Sequence, residues 1–178
     1  MCIRDRSSPH LPALGFPLGS RAQMFWLDEA HPSALAPGKR PRTTLTPSLA
    51  TAEGGRRALS FGTPGGDGQD QWQATMFLRL VHHGMNLQQA IDAPAFHCAH
   101  WPDSFWPRQA YPGRLIAEER FGDDVLGELR RRGHKVAVGA PWSEGSLSAI
   151  LVEDEGADGL WFKAAANPRT LQGYAAGR

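Results

Sequence analysis

The chain has 178 residues, enough for one domain with a substantial core, and a formal net charge of +1. That near-balance removes the electrostatic case for nucleic acid or an acidic membrane surface as partner. Two cysteines, Cys2 and Cys98, make no disulfide framework and leave the compartment undecided, and no apolar run approaches the length of a membrane span.

The N-terminus, MCIRDRSSPH, lacks the apolar core of a signal peptide. Its first six residues resemble a translated sequencing adapter. Residues 1–6 are therefore expected to be non-native, and residues 7–178 to form a single domain. After an irregular start with Pro9, Pro12 and Pro17, the segment Ser20 to Glu29 reads as a strand with a partly buried face. A proline-rich loop follows from His31 to Pro41 and includes the basic run GKRPR. Thr44 to Glu53, the Gly54-Gly55 turn and Arg56 to Pro64 read as a β-hairpin. The spacing of Trp72, Met76, Phe77 and Leu80 predicts a helix from about Gly68 to His83, with Asp67 as its N-cap and Gly84 as its stop.

A shorter helix is expected at Asn86 to Ala93, ended by Pro94. The aromatic, proline-rich stretch His97 to Pro112 reads as surface chain with short strands. Leu115 to Glu118 is a candidate strand and Asp123 to Arg132 a helix, whose end ELRRRGHK reads as a solvated basic face. His134 to Gly139, Leu147 to Asp154 and Gly159 to Ala166 read as strands, the last two paired about Gly156. Strands and helices come in groups rather than in βαβ alternation, so the expected class is layered α+β.

The stretch FGTPGGDGQDQWQ, Phe61 to Gln73, carries the clearest chemical signal. A Gly-Gly pair after an apolar strand lets backbone come close to a ligand, and the helix that follows turns N–H groups toward the same place. Such a convergence favours a bound anion or an oxyanion formed in acyl transfer. The same residues also fit a plain strand-to-helix connection. A nucleotide-phosphate loop is disfavoured, because the lysine and hydroxyl residue that should follow the glycines are absent. Elsewhere, His97, Cys98 and His100 resemble part of a metal cluster but lack a fourth ligand at a usual spacing, and His82 and His83 suit a helix C-terminus. No metal and no cofactor is expected. No Gly-x-Ser-x-Gly elbow occurs, which disfavours an α/β-hydrolase.

Four runs taken in order, PGKRPRTTLTPSLA, FGTPGGDGQDQW, HHGMNLQQAIDAPAFH and AAANPRTLQGYAAGR, resemble the C-terminal small subunit of γ-glutamyltransferases. The resemblance extends from Ser7 to Arg178. It implies a four-layer αββα N-terminal-nucleophile hydrolase, made as a precursor that cleaves itself, whose new terminal threonine attacks a γ-glutamyl amide of the glutathione type. By the same resemblance Gly65 and Gly66 supply the oxyanion hole, Thr43 and Thr44 hold the substrate carboxylate, Gln23 lies near the substrate's amino-acid end, and Asn167-Pro168-Arg169 forms a structural turn. The implied partners are the large subunit, or missing N-terminal part of the precursor, and a small γ-glutamyl or related amide substrate.

Two positions depart from the family pattern. Phe25-Trp26 stands where the family carries an acidic run that binds the substrate ammonium, which leaves Trp26 as a cation–π contact and Asp28 or Glu29 as acids that could reach inward. The nucleophilic threonine is expected upstream of Ser7, so this chain alone is expected to be inactive. Cleavage between Arg42 and Thr43, which would expose a threonine inside the chain, is disfavoured because Thr43 falls in the substrate-contact motif. Two alternatives remain: an acylase or amidase of the same fold with a different acyl group, and a non-catalytic member that binds small molecules.

Overall fold

The computed structural model describes residues 10–169 and 173–176. Residues 1–6, expected to be non-native, lie outside them, as does the tract 170–172. A two-residue pair of strands, β1 (His10–Leu11) and β2 (Phe16–Pro17), opens the chain. The hairpin β3 (Ser48–Ala52) and β4 (Arg57–Gly62) then forms about the Gly54-Gly55 turn, where both glycines have positive φ. Helix α1 (Gln69–His83) follows, closed by Gly84 in the left-handed conformation. Helix α2 (Leu87–Asp92) starts on a capping box in which the Asn86 side chain and the Gln89 amide, and the Gln89 side chain and the Asn86 amide, bond reciprocally.

Strands β5 (Phe96–Cys98), β6 (Arg114–Glu118) and β7 (Lys135–Gly139) form a small sheet. Its parallel β6–β7 pair is joined through α3 (Gly122–Arg131), with Asp123 and Asp124 in the first turn and Arg130 and Arg131 in the last, each sign facing the complementary end of the helix dipole. The hairpin β8 (Ser148–Asp154) and β9 (Leu160–Ala166) completes an antiparallel sheet of order β3-β4-β8-β9. Helices α1 and α2 cover one face of this sheet, and the core between them contains Phe61, Trp72, Met76, Ile91, Ala149 and Ala165. The opposite face presents Leu49, Ile150 and Phe162, which are 73%, 52% and 71% exposed.

Two local expectations are corrected. Ser20–Met24 is a 3-10 helix, not part of a strand, and only Trp26 forms an isolated bridge, to Ala34. The apolar residues there are consecutive rather than alternating. Met24 is buried at the end of the turn, and the Trp26 amide and carbonyl bond locally to Ser33 and Leu35. Asp67 does not cap α1. A short 3-10 turn, Gly66–Gly68, precedes the helix, Gly68 takes the N-cap position without a side-chain cap bond, and the Asp67 carboxylate points to Ser104 instead.

Candidate active site

Strand β4 delivers the chain to Gly65 (φ +133°) and Gly66 (φ +59°), conformations that an L side chain resists. Space adds a second requirement at Gly65, where a Cβ would lie 2.2 Å from Cζ3 of Trp72. The Gly68 amide bonds to the Gly65 carbonyl and the Gln69 amide to that of Gly66. Neither of these turn bonds uses the Gly65 or Gly66 N–H group. Both glycines line a cleft of about 850 Å³ together with Gln23, Asp67, His97 and Trp101.

A charged cluster lines this cleft. Asp67 accepts from the Ser104 amide at 2.7 Å and from the Ser104 hydroxyl, while Arg42 approaches the same carboxylate at 3.9 Å and bonds to Ser104 Oγ. Burial alone would raise the Asp67 carboxyl, but bonds from the Ser104 hydroxyl and amide, one shared with Asp103, and the Arg42 charge hold it below the ordinary aspartate value. Burial raises Asp103, and the Asp67 carboxylate raises it further against the Phe105 amide and Arg108. The charge on one carboxyl therefore bears directly on ionisation of the other.

Arg108 fixes the other wall. Its guanidinium donates to the carbonyls of Ser104 (3.1 Å), Gln23 (3.0 Å) and Phe25 (2.8 Å) and lies 4.2 Å from the Trp26 ring centroid. Trp26 also stacks on His31, so the cation on this ring is the chain's own. Asp28 and Glu29 are exposed, and the Asp28 carboxylate accepts from the Ala30 amide.

Of the residues singled out in the sequence, Gly65, Gly66 and Gln23 come together on the cleft, whereas Thr43 and Thr44 are not on its wall. Thr43 Oγ1 accepts from the Leu45 amide at 3.1 Å, and Thr44 is buried with its hydroxyl unpartnered among the described residues. Thr46, unremarked in the sequence, ties this segment to α1 through Gln69 (2.9 Å) and Gln73 (2.6 Å). His97 and His100 part company: His97 Nδ1 meets Glu144 at 2.5 Å, and His100 Nδ1 accepts from the Gly113 amide. Among the described residues no three metal-ligating side chains gather. Sequence reasoning missed Ser104, Arg108 and Glu144, each of which has partners tens of residues away that leave no local pattern.

The family model for γ-glutamyltranspeptidase matches residues 7–177. The chain belongs to this family. It is 37% identical over 170 residues to the oxamate amidohydrolase proenzyme of Klebsiella pneumoniae, covering 94% of this chain and 30% of that protein. It is 36% identical over 160 residues to the glutathione hydrolase-like YwrD proenzyme of Bacillus subtilis, covering 87% of this chain and 28% of that protein. The solved structure of LmbA2991HD superposes with a TM-score of 0.83 at 52% identity, covering 97% of this chain and 30% of that one. The chain thus spans under a third of the length of these relatives. Its α+β layers have the fold of the solved γ-glutamyltranspeptidases.

Proposed function

We propose that the precursor carrying this chain is an amidohydrolase with a threonine nucleophile upstream of Ser7, and that Gly65 and Gly66 form its oxyanion hole. The observation that carries this reading is the positive-φ glycine turn, its two N–H groups free of the turn's own bonds, at the wall of an 850 Å³ cleft. The threonine hydroxyl adds to the amide carbonyl, and its proton passes to the threonine α-amine. The carbonyl oxygen becomes an oxyanion opposite the Gly65 and Gly66 amides, which lower the barrier because they are already oriented. Collapse expels the amine with that proton and leaves an acyl-enzyme, which water or an amine acceptor then resolves.

The rest of the precursor is the partner in this reading. The apolar face with Leu49, Ile150 and Phe162 suits the second sheet of the sandwich. For the acyl group, Trp26 favours an amidase or acylase over strict γ-glutamyl specificity. It replaces an acid that would bind the substrate ammonium, and its ring already carries Arg108. The relative named as an oxamate amidohydrolase is consistent with a donor that needs no such contact.

Intact mass of the precursor, expressed with its upstream coding sequence, tests the reading. Two chains are expected, the smaller beginning with threonine upstream of Ser7 and carrying an acyl adduct after exposure to an amide donor. A precursor that stays whole and has no threonine at that position overturns it and favours a non-catalytic binding protein.

A further inference from the structure

The glycine turn is moulded on one side chain. Trp72, on the first turn of α1, occupies the space that a Cβ at Gly65 or Gly68 would need, at 2.2 and 2.6 Å. The indole is itself only 9% exposed, yet its Nε1 has no hydrogen-bond partner among the described residues. Its placement therefore rests on packing, and whatever packs on its other surfaces sets where Gly65 and Gly66 sit.

Those surfaces belong to one loop and one strand. Gly145 lies against the indole, where a Cβ would be 3.1 Å from Cδ2, and His97 of β5 meets it edge-on at 5.5 Å and 80°. Glu144, beside Gly145 and 6% exposed, holds His97 Nδ1 at 2.5 Å. The Ser146 amide donates to Thr63 Oγ1 at 2.9 Å, two residues before Gly65, and the Glu144 amide donates to the buried Glu118 carboxylate at 3.1 Å. The loop Ser143 to Ser146 thus grips the turn at Thr63, at Trp72 and through His97.

We propose that His97, oriented by Glu144, is a positioning residue for the oxyanion turn and acts through the Trp72 indole. The proposal rests on the reading of Gly65 and Gly66 as the oxyanion hole. A carboxylate at Nδ1 fixes the imidazole plane, and the imidazole edge fixes the indole. Removing either link frees the turn without touching the amides.

The test uses the mature enzyme made from the full precursor, with His97→Ala, Glu144→Ala, Glu144→Gln and the remote core variant Leu126→Ala. Hydrogen exchange of the peptide Phe61 to Trp72 is expected to rise at least about fivefold in His97→Ala and Glu144→Ala but not in Leu126→Ala. With an amide donor the same two variants lose on the order of tenfold to a hundredfold in kcat, with KM within about twofold. Glu144→Gln, which keeps an oxygen for the imidazole N–H, restores both, and the His97→Ala, Glu144→Ala double variant loses no more than one alone. Unchanged exchange in the turn, or the same change in Leu126→Ala, overturns the proposal. Faster exchange in an enzyme whose wild type turns over no amide supports the mechanical link and overturns the functional reading instead. Should His97→Ala not fold, the Glu144→Ala and Glu144→Gln pair alone decides.

Discussion

Two of the molecule's arginine–carboxylate clusters are set at different depths. At the first, Glu118 is fully buried, and its oxygens accept from Arg169 (2.7 Å), Arg120 (2.6 Å) and the amides of Ala95 and Glu144. Arg169 and Arg120, with the neighbouring Arg79, also donate to the carbonyls of Ile91, Asp92 and Ala93, at the end of α2, and of Pro94 just beyond it. At the second, the side chains of Asp67 and Arg42 are 42% and 58% exposed and 3.9 Å apart on the cleft. Depth decides their use: the first cluster is saturated by the fold itself, and the second keeps charge where a ligand can meet it.

The largest expected effect separates the two. Glu118→Ala strands Arg169 without its carboxylate and is expected to cost about 3–5 kcal/mol, whereas Asp67→Ala costs about 1–2 kcal/mol, because its Arg42 pair is screened by solvent and the loss is confined to the Ser104 bonds. Denaturant unfolding of the precursor measures both, and equal losses would erase the distinction. Turnover should rank the sites in the opposite order. Gly66→Ala has room for its Cβ, whose nearest neighbour is Phe105 at 3.5 Å, so it pays about 1–2 kcal/mol of left-handed strain while losing on the order of a hundredfold in kcat. A variant with normal kcat would remove Gly66 from the chemistry.

Acid sharpens the contrast next. Burial opposes ionisation of Glu118, but bonds from Arg169, the Ala95 and Glu144 amides and Arg120 outweigh it, so its folded value lies below the ordinary 4.5. A carboxyl lowered on folding stabilises fully above its unfolded value and loses that contribution as the pH falls through the folded one. Stability is therefore expected to drop below about pH 4.5, and Glu118→Gln to flatten that drop in a pH series of melting temperatures.

Much of this frame is legible in the sequence. The β3–β4 hairpin, α1, α2 and α3 follow from local signals: a Gly-Gly turn, apolar spacing, the stops at Gly84 and Pro94, and the basic end of α3. The glycine turn at the cleft is equally local, since adjacent residues make it. What could not be read is what depends on distant partners. Glu118 and Arg169 are 51 residues apart and His97 and Glu144 are 47 apart, and neither pair leaves a periodicity. The segment Ser20 to Glu29 misled for a related reason, because a short apolar run such as Met24 to Leu27 also fits a buried strand, and no strand lies beside it along its length among the described residues. Asp67 had the right residue type and place for an N-cap until Ser104, 37 positions on, offered a hydroxyl and an amide together.

The smallest expected effect is the one that tests whether the cleft cluster is poised for a ligand. Asp103 is raised by burial and by the charge of Asp67, so ionising it in the fold costs free energy that the unfolded chain avoids. The sign is opposite to that of Glu118: a raised carboxyl lowers stability above its folded value, and the penalty disappears as the pH falls and the group protonates. Asp103→Asn removes the repulsion while keeping an oxygen for the Phe105 amide, which now meets Asp103 at 2.9 Å. Stability at neutral pH is then expected to rise, by under about 1 kcal/mol because Asp103 is exposed to solvent. Neutral-pH melting of the precursor measures it. A gain means the fold tolerates a local repulsion between carboxylates at the cleft, as expected where charge is retained for a ligand. A loss means that Asp103 belongs to the scaffold, and that the two clusters differ in depth alone.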